Sequence, residues 1–183
     1  METANPDWVT QLWDPSLPYK YDPSQKYLVI RFINGPGIIS DIIDWSTNGR
    51  YCHTEALSRD GDGWIGAHAG TGVDQRPLDW AKVTRERRYA LPVSDDEYDK
   101  AMTWLHAHIG VPYDYEDILG LFLHVRIGVH KHEMICSALM TLFQMQAPEW
   151  TPLNIDPDNA NLVTPEVLRM SKDYIGRCIY ALN

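Results

Sequence analysis

The chain has 183 residues, of which 44% are hydrophobic, and this is enough for one domain with a buried core. Its formal net charge is -9, and the sixteen Lys and Arg form no long run in the sequence. This balance argues against nucleic acid or an anionic membrane surface as the main partner.

The N-terminus has no basic region followed by an apolar stretch, and no segment approaches the ~20 apolar residues of a membrane span. We therefore expect a cytoplasmic protein without a stable membrane anchor, unless a phage or a secretion machinery delivers it. The three cysteines, Cys52, Cys136 and Cys178, form no CxxC pair. Their odd number predicts reduced thiols rather than a disulfide framework.

The first half of the chain predicts an irregular arm followed by a meander of strands. Residues 1–26 are rich in Pro, Asp and aromatic side chains and are predicted to form the arm, and residues 27–183 form one domain. A helical face is predicted over 38–45. The Asp60–Gly63 turn separates two of the strands. The predicted strands cover 27–33, 53–57, 64–68, the surroundings of Val73, and 89–91.

The second half is mainly helical. Ser94 opens a capping box, and the helix after it would bury a stripe from Tyr98 to Ile109 and stop at Gly110. Further helices are predicted over 117–124, from Cys136 to about Gln146, and after Thr164. A closing strand is predicted over 174–180. Together these elements predict an α+β fold, an antiparallel sheet with helices packed on one side.

Cys136 is the leading candidate for a catalytic residue because it stands at the first turn of a predicted helix. The partial positive charge and free N–H groups of a helix N-terminus favour a thiolate over a thiol. The Asp60–Gly63 turn would bring His53 and His68 within reach of each other on adjacent strands, with Thr54 or Glu55 roughly opposite His68. In this interpretation Cys136 is the nucleophile, His53 its base, and His68 the residue that orients His53.

The sequence leaves two alternatives open, one for the residue that orients His53 and one for the role of the other histidines. Glu55 competes with His68 for the orienting position, although a strand carboxylate is more often solvated. His124, His130 and His132, with His106 and His108, could suggest a metal site, but no Cys or carboxylate completes a ligand set, so we predict none.

Five short segments carry a family resemblance. Residues 52–57, Cys-His-Thr-Glu-Ala-Leu, contain the first histidine, and 64–69, Trp-Ile-Gly-Ala-His-Ala, the second. Gly-x-x-Tyr-Asp lies within 110–115, Ile-Cys-Ser-Ala-Leu covers 135–139, and a Thr-Pro segment lies within 163–168. In this order they resemble the circularly permuted branch of the NlpC-type papain-like superfamily, which includes lecithin–retinol-acyltransferase-like proteins.

The resemblance implies a papain-like sheet and a catalytic Cys136–His53 pair with His68 as the polar third residue. Many members of the bacterial branch have a carboxylate where His68 stands. The implied activity is cofactor-free, thiol-dependent hydrolysis of a peptide, amide or lipid ester, and one substrate class is the peptidoglycan stem peptide. Lipid acyl transfer and a non-catalytic binding module on the same scaffold are the alternatives.

Overall fold

We describe the protein from a computed structural model, and the described residues are 12–36, 50–114, 135–150 and 155–183. The helices predicted over 38–45 and 117–124 lie outside these ranges. In the part of the chain that is described, no helix combines the length and apolarity needed to cross a membrane.

The described strands form one antiparallel sheet, as the sequence predicted. In chain order they are β1 (Lys26–Asn34), β2 (His53–Leu57), β3 (Gly63–His68), β4 (Gly72–Pro77), β5 (Arg85–Val93) and β6 (Cys178–Leu182). Their order across the sheet is β4-β3-β2-β1-β5-β6. Consecutive strands β1 to β4 therefore lie side by side, and short turns join β2 to β3 and β3 to β4. Strand β5 lies on the other side of β1 and pairs with the C-terminal strand.

Three α-helices accompany this sheet in the described ranges: α1 (Asp95–Ala107), α2 (Cys136–Gln144) and α3 (Pro165–Arg169). The capping box is present, because the Ser94 hydroxyl accepts from the Glu97 N–H and the Glu97 carboxylate accepts from the Ser94 N–H. Thr164 also caps α3, because its side-chain hydroxyl accepts from the Val167 N–H. These starts confirm the predicted helix boundaries.

Two sequence predictions about element ends are wrong. α1 ends at Ala107, and Ile109, expected in its buried stripe, lies past the end of the helix and is exposed. The closing strand was expected over 174–180, but Lys172–Tyr174 is a 3-10 turn and β6 begins only at Cys178. In both places an apolar residue continues the sequence pattern beyond the point at which the backbone turns.

The helices α1, α2 and α3 pack on one face of the sheet. Side chains of β1 alternate between faces, and Leu28, Ile30 and Phe32 point toward the helices. The helices contribute the facing residues of this core: Ala101, Met102, Leu105, Leu139, Met140, Phe143 and Leu168. The described residues therefore form an α+β arrangement, with α1, α2 and α3 on the same side of the sheet.

The opposite face of the sheet is covered by the N-terminal segment, which contributes Leu12 and Trp13, and by Leu78 and Trp80 from the segment after β4. Trp13 of the N-terminal segment packs on Tyr27 with ring centroids 5.4 Å apart and donates its Nε1–H to the Tyr19 carbonyl. Trp64 of β3 is fully buried on this face. Because this face is covered, the charged residues that point into it, Arg31 and Glu55, are shielded from water.

Candidate active site

The register of β2 and β3 sets the two histidines opposite each other. The recorded pairs are Ala56 with Ile65 and Leu57 with Trp64. Continued toward the other end of the strands, this register places His53 opposite His68, one residue from the predicted pairing with Thr54 and two residues from that with Glu55. A two-residue shift keeps every side chain on its expected face. The imidazole ring centroids of His53 and His68 are 4.9 Å apart.

Glu55 lies between the two histidines. Its Oε1 is 3.2 Å from Nε2 of His53 and 2.6 Å from Nε2 of His68. The Glu55 carboxylate is completely buried, so the expectation that it is solvated is wrong. Among the described residues it is Glu55, rather than His68, that hydrogen-bonds to the ring of His53. His68 instead reaches from Glu55 toward Asp74, whose Oδ1 lies 2.5 Å from Nδ1 at an angle that makes no hydrogen bond.

The second oxygen of the Glu55 carboxylate is held by a buried cation. Nε of Arg31 donates to Oε2 over 2.6 Å, and Nε1 of Trp80 donates to the same atom over 3.4 Å. The Arg31 guanidinium also stacks on the ring of Trp64, 4.3 Å from its centroid. Arg31 is itself only 2% exposed, so its charge and that of Glu55 depend on each other.

These contacts decide the charge of Glu55. Burial acts to raise its pKa, but the hydrogen bonds from His53 and His68 and the charge of Arg31 outweigh burial. The pKa of Glu55 therefore lies well below its usual value of 4.5, and the carboxylate is ionised at neutral pH. An ionised carboxylate can only accept hydrogen bonds, so Nε2 of His53 carries the proton and Nδ1 keeps the lone pair.

His53 is neutral near pH 7 in this setting. Burial lowers its pKa below the usual 6.5, and the neighbouring Glu55 carboxylate compensates only in part. A neutral imidazole with its Nε2–H fixed on a carboxylate is the form of histidine that can accept a proton at the other nitrogen.

Gly66 leaves the space that this arrangement needs. A Cβ atom built on Gly66 would lie 2.7 Å from Cγ of Glu55 and 3.3 Å from Nε2 of His53. Real Cβ atoms do not approach other atoms to 2.7 Å, so any side chain here would displace the Glu55 carboxylate. The glycine in Trp-Ile-Gly-Ala-His thus permits a carboxylate between the two strands.

Cys136 lies where β2 and β3 separate. It is the first residue of α2, and its Sγ is 4.0 Å from the carbonyl oxygen of Cys52. The backbone N–H groups of Thr54 and Ser137 also point at the sulfur. Cys52 and Thr54 flank His53 directly in the chain, so the thiol is held against the backbone on both sides of the candidate base.

Burial of the Cys136 thiol works against the thiolate that the helix start favours. The side chain is 4% exposed, and this burial raises the pKa of the thiol to about 12. The N–H groups of Thr54 and Ser137 act in the opposite direction but are the weaker influence. A helix start alone therefore does not make this cysteine acidic.

A cleft of about 350 Å³ opens beside the histidines. His53 and His68 line one side of it, and Trp80 stands edge-on to both rings at centroid distances of 6.1 and 4.9 Å. Tyr113 and Lys82 also line the cleft. The cleft gives a ligand access to the imidazole of His53, whose side chain keeps 15% of its surface exposed.

The same side chains have the spacing of metal ligands. His53, Glu55 and His68 offer three ligand atoms within 4.8 Å of one another. The Arg31 guanidinium on the other oxygen of that carboxylate opposes a second cation there, because it already balances the charge of Glu55. The other histidines considered for a metal, His124, His130 and His132, lie outside the described residues.

His106 and His108, the remaining members of that set, lie at the end of α1. Nδ1 of His108 lies 2.7 Å from the Trp104 carbonyl oxygen, and the two rings stack with centroids 3.8 Å apart. His108 is therefore engaged within its own helix rather than free to bind a metal.

Three contributors to the site were not found from the sequence. Arg31 could have been suspected, because a single charge inside the apolar run Tyr-Leu-Val-Ile-Arg-Phe-Ile indicates a buried pair. Asp74 and Trp80 come from β4 and the segment after it, and no spacing in the sequence links them to His53. Comparison with protein-family models and with curated proteins finds no match to this chain.

Proposed function

We propose that the protein is a thiol-dependent hydrolase of amides or esters on a permuted papain-like fold, with Cys136 as the nucleophile and His53 as its base. The observation that carries this proposal is the buried Glu55 carboxylate bonded to His53, with the Cys136 thiol held against the backbone on either side of that histidine. A nucleophile, a base and a group that orients the base are the three parts such chemistry needs.

The proposed roles follow from the protonation states. As the Cys136 sulfur attacks a carbonyl carbon, its proton passes to Nδ1 of His53, and the ionised Glu55 stabilises the imidazolium. The N–H of Cys136 at the start of α2 is the donor we assign to the developing oxyanion. His53 then gives the proton to the leaving amine or alcohol. Water attacks the thioester in a second step, with His53 again as base, and releases the acid and the free thiol.

A buried thiol suits general-base activation. With a pKa raised to about 12, Cys136 is not a nucleophile at rest, and it becomes one only when the base takes its proton during attack. A neutral His53 is ready to do so, because burial keeps its pKa low. The protein would therefore resist non-specific thiol oxidation and alkylation while idle.

We assign the third position to Glu55, with His68 as a positioning residue that acts through it. His68 holds the same carboxylate oxygen that His53 uses, at the shorter distance of 2.6 Å. The carboxylate that many members of the resembled family have in place of His68 is supplied here from β2. An ionised Glu55 stabilises a cationic His53 more strongly than a neutral imidazole in the third position would.

The substrate is a peptide, an amide or a lipid ester whose acyl group enters the cleft beside His53. A lipid acyltransferase would use the same thioester and differ only in the acceptor. A binding module would use the cleft alone and leave Cys136 idle. These three functions differ in whether an acyl group is transferred to Cys136 and in whether water or another molecule then accepts it.

A panel of p-nitrophenyl esters and amino-acid p-nitroanilides tests the proposal. We expect wild type to release nitrophenolate or nitroaniline and Cys136→Ala to lose this activity. Cys178→Ala is the matched control and should keep it, because Cys178 lies in β6, away from the cleft. Equal turnover by wild type and Cys136→Ala would contradict the proposal.

A further inference from the structure

A second pocket, on the other side of β1 from the histidines, gathers arginine side chains. Its volume is about 330 Å³. The lining residues are Arg50, Tyr51, Arg85, Arg87, Arg169 and Asn183. Four of the sixteen Lys and Arg of a chain with net charge -9 therefore meet in one cavity. The sequence does not reveal this cluster because its members come from three distant segments.

The sheet explains why these side chains converge. Arg85 and Arg87 are two residues apart on β5 and so point to the same face. Arg85 is opposite Asn34 at the end of β1, which brings it to the chain segment that contains Arg50. Arg169 ends α3 and lies over the ring of Tyr51, 5.3 Å from its centroid.

Part of the cluster is already held in place. The Arg169 guanidinium pairs with the Glu166 carboxylate over 2.5 Å, and it approaches the Tyr89 hydroxyl at 3.5 Å. Arg87 donates to the Asn183 side-chain oxygen and also bonds with Tyr51. Both guanidinium groups are therefore fixed before any ligand arrives, which lowers the ordering cost of binding.

The charge of the pocket is not balanced by the described side chains around it. Among the described residues, Glu166 supplies the one side-chain carboxylate that these contacts bring to the four guanidinium groups, so the side chains leave an excess of positive charge there. Neighbouring Glu86 does not contribute, because it points to the opposite face and pairs there with Arg88 over 2.7 Å. Like charges held together in this way attract a multivalent anion.

We propose that this pocket binds a compact anion carrying at least two phosphate groups. Guanidinium groups bind phosphate oxygens in a bidentate manner, and four of them around one cavity match two linked phosphates better than one. The limited volume and the strongly negative total charge of the chain favour a small phosphorylated molecule over a nucleic-acid backbone. The site is independent of the proposed hydrolase chemistry, which uses none of these residues.

Inorganic pyrophosphate is the probe that tests this site, with the full chain and isothermal titration calorimetry at constant ionic strength. We expect saturable binding of pyrophosphate and at least tenfold weaker binding of orthophosphate or sulfate. Arg50→Gln combined with Arg85→Gln should weaken pyrophosphate binding by about a hundredfold, since each removes one charged donor pair. Both residues are exposed, so the variant should unfold at the wild-type temperature.

The control is Arg59→Gln, which removes one positive charge, as each single substitution of the double variant does, but away from the pocket, where Arg59 pairs with Asp99. It should bind pyrophosphate with wild-type affinity, and so should Cys136→Ala. Absence of binding to wild type at millimolar pyrophosphate would overturn the proposal. So would equal loss in Arg59→Gln and in the double variant, because the attraction would then belong to the overall charge and not to the pocket.

Discussion

Replacing Glu55 by glutamine is the most informative single change at the candidate site. The substitution keeps the size of the side chain and removes its charge. An amide can present its oxygen to only one side, so either the Arg31 contact at 2.6 Å or the two histidine contacts at 3.2 and 2.6 Å must be lost. In the second case His53 loses the partner that fixes its Nε2–H, and in both cases it loses the negative charge that stabilises its charged form.

The expected losses of stability and turnover in Glu55→Gln follow from the burial of the Glu55 carboxylate. Removing one partner of a buried ion pair costs about 3–5 kcal/mol, because the remaining charge is left without compensation. Arg31 keeps a second carboxylate, Glu86, at 3.7 Å, so we expect the lower end, about 3 kcal/mol. For a chain of this length such a loss corresponds to a fall in Tm of about 6–12 °C. Turnover through Cys136 should fall by about 10²–10⁴, as when a triad carboxylate becomes an amide.

Glu86→Gln is the matched control for this experiment. Glu86 is also buried and faces Arg31, but it touches neither histidine. Urea unfolding should show that both variants lose stability, whereas ester hydrolysis should fall only in Glu55→Gln. A folded Glu55→Gln protein with wild-type turnover would refute the assignment of Glu55, and so would an equal loss of turnover in Glu86→Gln.

Three further predictions concern the surroundings of the site. Gly66→Ala should lose about 1–3 kcal/mol of stability and most turnover, because its Cβ would lie 2.7 Å from the Glu55 side chain. Gly63 lies on the same strand as Gly66, but a Cβ there would meet the Arg76 carbonyl of β4. Gly63→Ala should therefore lose stability and keep its turnover per folded molecule. Because the pKa of Cys136 is raised in the folded protein, its thiol ionises at lower pH in the unfolded chain, and the free energy of unfolding should fall as pH rises from 9 toward 12. This fall should be smaller in Cys136→Ala. Equal dependence of the unfolding free energy on pH in the two proteins, measured by urea unfolding, would contradict the prediction. Trp13→Ala should lower the free energy of unfolding by about 3–5 kcal/mol, because it uncovers the sheet face opposite α1 to α3. Unfolding curves would check this loss. The pH dependence of Cys136 alkylation should stay unchanged.

The sheet was predictable because its strands carry local signals. Apolar runs ended by Gly, Pro and Asp define β1 to β3, and the Asp60–Gly63 turn brings His53 and His68 together whatever the remainder of the chain does. Periodicity also placed His53 and Glu55 on one face. It could not show that this face is covered, since the cover comes from Trp13 and Trp80 at distant positions.

The electrostatic state of the site was less predictable for the same reason. The helix start at Cys136 was visible in the sequence, but the pKa of its thiol depends on how deeply it is buried between β2 and α2. Glu55 could be placed on its strand but not paired, because its partner Arg31 lies on the neighbouring strand. The pKa of the Cys136 thiol and the charge state of Glu55 both depend on contacts between residues far apart in the sequence.

The most direct test of the central claim is acylation of Cys136 by p-nitrophenyl acetate, followed by stopped-flow absorbance and peptide mass spectrometry. At neutral pH we expect a burst of one nitrophenolate per chain in wild type, with the acetyl group on Cys136, and a burst at least a hundredfold slower in His53→Ala. Cys178 in the same molecule should remain unmodified. A Cys136 that stays unacetylated, or is acetylated as fast without His53, would contradict the account.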